Sequence, residues 1–168
     1  MGYEPSPTRL QRIFPGFLAL VGVGALATAF TAEYAFGLEP CNLCIAQRVP
    51  YLAIALIGWV GLKRPEWMSP GNLTATAGFV FLIGAAIAIY HVGVEQHIWV
   101  SAAGCGGEAG AQVKATDLQS LLQEKPPKPC DEVDWTLFGV SMANYNAFFS
   151  LVLAGITFNV ARRIWITS

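Results

Sequence analysis

Residues 73–94 read LTATAGFVFLIGAAIAIYHVGV, an unbroken run with no Asp, Glu, Lys or Arg. A bilayer's hydrocarbon core is about 30 Å thick and takes roughly 20 apolar residues of α-helix to cross. The run therefore has the length of a membrane span, and His91 is its only side chain able to become a cation. Three other stretches share this character. They cover about 14–38 with one charge, Glu33; about 44–62 with one charge, Arg48; and about 144–160 with none. Backbone inside a bilayer must satisfy its own hydrogen bonds, so such stretches are helices. The expected fold class is all-α: an integral membrane four-helix bundle forming a single membrane domain over residues 1–168.

Composition agrees. The chain has 168 residues, 54% of them hydrophobic and 12% charged, with a formal net charge of −1. Soluble domains are roughly 25% charged. Disorder is excluded, because it requires low hydrophobicity and high charge. Ten Lys and Arg against eleven Asp and Glu leave no basic excess for nucleic acid. A cleaved signal peptide is the alternative for the first stretch, which follows Arg9 and Arg12. Its apolar run exceeds the usual 7–15 residues of a signal sequence, and three more spans follow.

Basic residues set the orientation. Arg9 and Arg12 precede the first span, Lys63 and Arg64 separate the second from the third, and Arg162 and Arg163 follow the fourth. These six mark the cytoplasmic side, so both termini are expected there. The 95–143 connection is net acidic and belongs outside. Trp59, Trp67, Trp99, Trp135 and Trp165 fall near span ends, as an interfacial aromatic belt does. Within the long outer loop, Thr116–Glu124 is expected to be a short amphipathic helix. Thr116 and Gln119 form a capping box, and Leu118, Leu121 and Leu122 share one face. Pro126, Pro127 and Pro129 then stiffen the approach to Cys130.

All four cysteines, Cys41, Cys44, Cys105 and Cys130, fall outside or at the outer membrane face on this topology, where disulfides are permitted. Cys41-Asn42-Leu43-Cys44 is a C-x-x-C pair directly after Pro40, where a helix begins. Unpaired N–H groups at a helix start favour the thiolate, so the pair is placed for redox chemistry. Arg48 lies one turn deeper on the face of Cys44. A charge within a span usually marks function; snorkelling to the headgroups is the alternative. Its guanidinium is suited to holding a thiolate or another anion. Pro50 is expected to kink the helix beyond. His91 and Glu95 sit at the outer end of the third span, four residues apart on one face. Glu33 is expected simply to snorkel. Cys105 and Cys130 are separated by 24 residues, and a disulfide between them would be either a staple or an exchanging pair. A Cys₄ zinc site takes paired C-x-x-C knuckles, which the second pair lacks, so no metal is expected.

Thiol–disulfide exchange passes electrons between cysteine pairs through mixed disulfides. One pair on an outer loop and another at the membrane face suggest a relay from a soluble dithiol to an acceptor in lipid. The chain has neither a Rossmann glycine pattern nor a C-x-x-C-H haem motif. A lipid-borne quinone fits what is left.

The chain resembles the DsbB disulfide-bond formation proteins over nearly its whole length. The resemblance rests on four spans, on Pro40-Cys41-Asn42-Leu43-Cys44 followed by Arg48, on two cysteines in the second outer loop, and on Cys130, Trp135, Gly139 and Met142 before the last span. It implies a bacterial inner-membrane thiol oxidase that reoxidises a periplasmic DsbA-like dithiol oxidase and reduces ubiquinone or menaquinone, the system that keeps the periplasm oxidising. It also implies roles: Cys105 attacked by the partner's thiolate, Cys130 then passing electrons to Cys41, Cys44 acting on the quinone, and Arg48 stabilising the charge that develops. His91 and Met142 match positions that line or adjoin the quinone pocket. The chain departs from the pattern at Ser101-Ala-Ala-Gly before Cys105 and at Ala143, where prolines are common. Two alternatives remain at this point: a vitamin K epoxide reductase-like enzyme, whose membrane C-x-x-C falls late in the chain, and a non-enzymatic membrane protein with static disulfides.

Overall fold

The computed structural model describes residues 9–100, 128–133 and 135–167. Cys105 and the 116–124 stretch lie outside the described residues. Four helices account for most of the rest: α1 (Arg9–Tyr34), α2 (Asn42–Lys63), α3 (Pro70–Glu95) and α4 (Met142–Thr167), with β1 (Thr136–Leu137) and β2 (Val140–Ser141) just before α4. All four helices are long and apolar enough to cross a membrane, and the chain is a multi-pass membrane protein.

Local chemistry sets the helix ends. Cys41 is the N-cap of α2, its Sγ accepting from the Cys44 N–H at 3.3 Å. Ser69 caps α3 by accepting from the Asn72 N–H at 3.4 Å, with Pro70 in the first turn, where a missing N–H costs nothing. The first span was expected over 14–38, but α1 starts earlier, at Arg9, and ends at Tyr34. Its end is drawn in by Gly37, at φ +68°, which lets the Leu38 N–H turn back onto the Ala32 carbonyl at 3.1 Å. The helix α2 continues through Pro50, which is buried.

Helix α3 is the centre of the bundle. Half of its apolar stretch is buried, against 22% for α1. It packs most extensively on α4 and also on α2, while α1 packs mainly on α2. Phe14 and Leu18 of α1, Ile54 of α2, Leu73, Ala77 and Phe81 of α3, and Ala154 of α4 form one apolar core. Most other large apolar side chains, such as Leu20, Leu52, Ile83 and Phe148, are exposed. In a membrane those surfaces face lipid, so packing rather than a hydrophobic force holds the helices together.

The two short strands form an antiparallel hairpin, with Thr136 opposite Ser141 and Leu137 opposite Val140. Phe138 and Gly139 turn it at φ 52° and 78°, both in the left-handed region that a mirror-image hairpin turn requires. This hairpin adds to the all-α expectation. Its effect is to set Ser141 and Met142 at the head of α4.

Candidate functional site

The site lies at one end of the bundle, where the start of α2, the end of α3, the start of α4 and the 128–133 segment meet. Being the α2 N-cap fixes Cys41, and the first helical turn brings Cys44 beneath it. The two Sγ atoms are 2.9 Å apart. A disulfide is about 2.05 Å long, so the pair stands as two touching thiols that small side-chain rotations would join. The hydrogen bond to Cys44 and burial push the Cys41 thiol up to about 12. Cys130 is 1% exposed and packs with Cys41, Leu43 and Val94, and Cys44 and Tyr90 lie against the same cluster. Cys130, distant in sequence, is thus buried against the C-x-x-C pair.

His91 enters from α3. Its Nε2 lies 3.6 Å from Cys41 Sγ and 3.8 Å from Glu95 Oε1. Gln47 Nε2 donates to His91 Nδ1 at 2.6 Å, and Asn146 Nδ2 of α4 donates in turn to Gln47 Oε1. The hydroxyls of Tyr51 and Ser150 donate to Asn146 Oδ1, Ser150 at 3.2 Å. This buried ladder ties α2, α3 and α4 together and leaves the neutral imidazole with its proton on Nε2, facing the sulfur. Glu95, also buried, accepts from Ser141 Oγ at 2.5 Å. The hairpin is thereby fastened to the end of α3.

Arg48 and Glu33 correct one expectation. Glu33 does not snorkel; its Oε2 accepts from Arg48 Nη1 at 2.6 Å, with both side chains about four-fifths buried. A carboxylate and a guanidinium in neighbouring helices each cost less to bury together than either does alone. The Arg48 guanidinium also stands 5.0 Å from the centroid of the Phe30 ring. Arg48 is therefore held by Glu33 and Phe30 of α1.

A cavity of about 480 Å³ opens between these groups. Leu26, Ala29 and Ala32 of α1 and Ala143 and Phe149 of α4 supply apolar wall, while Cys41, Cys44, Arg48 and His91 face it. Met142 lines its edge. Of the residues singled out in the sequence, the structure brings together Cys41, Cys44, Arg48, His91 and Met142 around this cavity and buries Cys130 against the cysteine pair. Glu33, Gln47, Tyr51 and Asn146 line it too and were not expected there. A periodicity signal existed for Gln47, which lies one turn after Leu43 on a buried face. No sequence signal pairs residues 33 and 48 or 47 and 146.

The profile of the family described as "Disulfide bond formation protein DsbB" matches residues 11–160. Among similar curated proteins is the Disulfide bond formation protein B of Acinetobacter baumannii, 30% identical over 84% of this chain and 86% of its own length. That of Albidiferax ferrireducens is 30% identical over 92% and 91%. The protein of the same name from Acinetobacter baylyi is 28% identical over 90% and 92%. No solved structure matches the chain. A family match over most of the chain and relatives aligned along nearly their full length agree with the four spans and the buried cysteine cluster: the chain belongs to the DsbB family of membrane disulfide bond formation proteins.

Proposed function

We propose that this chain is a membrane thiol oxidase that reoxidises a periplasmic DsbA-like dithiol protein and passes the electrons through its two cysteine pairs to a membrane quinone. The observation that carries the reading is the Cys41–Cys44 pair at the wall of a cavity with Arg48, with Cys130 buried against the same pair. Ligand pockets of roughly 300–1,000 Å³ with mostly apolar walls and a few placed polar groups suit small cofactors, and a quinone headgroup fits about 480 Å³. A quinone bound there supplies a two-electron acceptor that exchanges with the lipid.

The chain's own residues supply the rest. A thiolate of the partner attacks Cys105 Sγ of a Cys105–Cys130 disulfide, forming a mixed disulfide and releasing Cys130 as thiolate. The partner's second thiolate displaces Cys105 and leaves the partner oxidised. Cys130 Sγ then attacks Cys41 Sγ of the Cys41–Cys44 disulfide, releasing Cys44 as thiolate; Cys105 Sγ attacks Cys130 Sγ of the resulting Cys41–Cys130 disulfide, re-forming Cys105–Cys130 and leaving Cys41 reduced as well. Two electrons have moved inward and two thiol protons remain to be delivered. His91, held by Gln47, presents its Nε2 to Cys41 Sγ, where it can hold a proton during these exchanges. Arg48, held by Glu33, lines the same cavity as Cys44, where its guanidinium can stabilise negative charge that develops there.

The same reading puts the protein in the bacterial inner membrane, with both termini cytoplasmic and residues 95–143 periplasmic. Arg9, Arg12, Lys63, Arg64, Arg162 and Arg163 support it, all lying at one end of the bundle and away from the cysteines. The test is quinone reduction followed by ultraviolet absorbance, with detergent-purified protein, reduced DsbA-like partner, and ubiquinone or menaquinone. Turnover should require partner and quinone together, and Cys44→Ser should abolish it. Undiminished turnover in Cys44→Ser, or none in the folded wild type with either quinone, would overturn the proposal.

A further inference from the structure

The sequence speaks against a Cys₄ zinc site, but the fold adds a ligand that spacing does not show. Cys41 and Cys44 meet His91, which comes from another helix, and the candidate ligand atoms of the three all lie within 4.8 Å of one another. Two cysteines of a C-x-x-C pair plus one histidine is a donor set for a soft or borderline d¹⁰ cation, and three protein ligands with an open fourth position is a recurrent zinc arrangement. We propose that the reduced Cys41–Cys44 pair and His91 bind one Zn²⁺-class ion, with the fourth position facing the cavity.

Geometry supports it. Zinc–sulfur bonds of about 2.3 Å and zinc–nitrogen bonds of about 2.0 Å at tetrahedral angles put sulfur and nitrogen roughly 3.5 Å apart and two sulfurs roughly 3.8 Å apart. Cys41 Sγ and His91 Nε2 already stand 3.6 Å apart. The two sulfurs, at 2.9 Å, must open by about 0.9 Å, within reach of side-chain rotation at the start of a helix. All three residues line the cavity, so an ion has a way in.

The ladder behind His91 can accommodate the ion. Coordination through Nε2 moves the ring proton to Nδ1, which then needs an acceptor. Turning the Gln47 amide over presents Oε1 to that proton, and turning the Asn146 amide over restores the bond between the two. The ladder ends on the Tyr51 and Ser150 hydroxyls, which can donate or accept. The whole chain can therefore invert without leaving a buried group unpaired. This is the outer support that zinc-bound histidines require.

Binding replaces two S–H bonds with two sulfur–metal bonds and releases two protons to solvent; no electron moves. Oxidation to the Cys41–Cys44 disulfide removes both thiolates and closes the site, so only the dithiol state is competent. The binding claim stands apart from the quinone reading. Its consequence, that the ion blocks the reduced pair from further exchange, rests on that reading.

The experiment uses full-length detergent-purified protein, reduced, freed of reductant under nitrogen, and titrated with Zn²⁺ against a chromophoric chelator. Co²⁺ serves as the spectroscopic probe, its visible bands reporting tetrahedral sulfur and nitrogen ligation. One equivalent should bind, with two protons released per ion. The oxidised protein should bind none. Loss of an outer-shell partner typically weakens a metal site 10–100-fold, so Cys44→Ser and His91→Gln, which remove ligands, should weaken binding by about 100-fold or more. Gln47→Glu, whose carboxylate accepts the Nδ1 proton, should bind at least as tightly as the wild type. Helicity and melting are checked for each variant; if His91→Gln does not fold, Gln47→Glu and the oxidised wild type decide. Equal binding by reduced and oxidised protein, or by folded His91→Gln and wild type, would overturn the proposal.

Discussion

The contact between α1 and α2 is close enough that one methyl group should test it. A Cβ added at Gly58 would sit 2.3 Å from the Ala19 nitrogen and 2.6 Å from the Pro15 carbonyl oxygen. One added at Gly22, on the opposing helix, would sit 2.5 Å from the Ala55 nitrogen. Ordinary contact begins at 3.4 Å, and the obstacles are backbone atoms that no rotamer change can move. Gly58→Ala must therefore push α1 and α2 apart by about 1 Å. Overpacking of this kind costs typically 1–3 kcal/mol, and lost van der Waals contact is not made good by lipid. Gly155 on α4 is the control, because a Cβ there meets nothing within 4 Å, so Gly155→Ala should be neutral or stabilising by up to about 1 kcal/mol. In detergent, Gly58→Ala should melt lower than Gly155→Ala. Taking about 2 kcal/mol and 2–4 °C per kcal/mol for a chain of this size, the gap is roughly 4–8 °C. Activity should fall as well, because α1 carries Glu33 and part of the cavity wall. Melting points for the two variants within 1 °C of each other would refute the close-packing account.

Three further outcomes follow from the site. Arg48→Lys keeps the charge but loses the planar fork that meets Glu33 and the face that lies over Phe30; on the proposed quinone reading, kcat should fall about tenfold, with KM changing less, and an unchanged kcat would remove Arg48 from the cavity's chemistry. Cys41 of the reduced protein should alkylate slowly at pH 8. A thiol at about 12 holds roughly one two-thousandth of the thiolate of an ordinary one near 8.5, and greater nucleophilicity restores part of that, leaving a rate about 50–100-fold below a free cysteine. Its rate should climb with pH up to about 12, because the thiolate is the reacting form; quantitative mass spectrometry of labelled peptides checks both. Asn146→Leu should destabilise the protein by about 1–3 kcal/mol, because Gln47, Tyr51 and Ser150 each lose a buried partner; thermal unfolding level with the wild type would contradict the ladder.

The sequence by itself determined the four spans and singled out the cysteine pair. Apolar length specifies a membrane helix almost alone, because backbone in lipid has no other way to satisfy its hydrogen bonds. Cys41 and Cys44 were legible because a C-x-x-C pair beside a helix start is a local feature, and Arg48 because a charge within a span is expensive wherever it points. Span boundaries were less legible. The end of α1 depends on a turn at Gly37, and the hairpin at 136–141 is too short for alternation to show. Only the tertiary structure decided what each charged or polar group meets. Glu33 could have reached the headgroups or a neighbouring helix, and sequence spacing carries no information on contacts between α1 and α2. The same holds for Gln47 with His91 and Asn146, three residues on three helices. They meet because a buried polar group in a bilayer must find its partner within the protein.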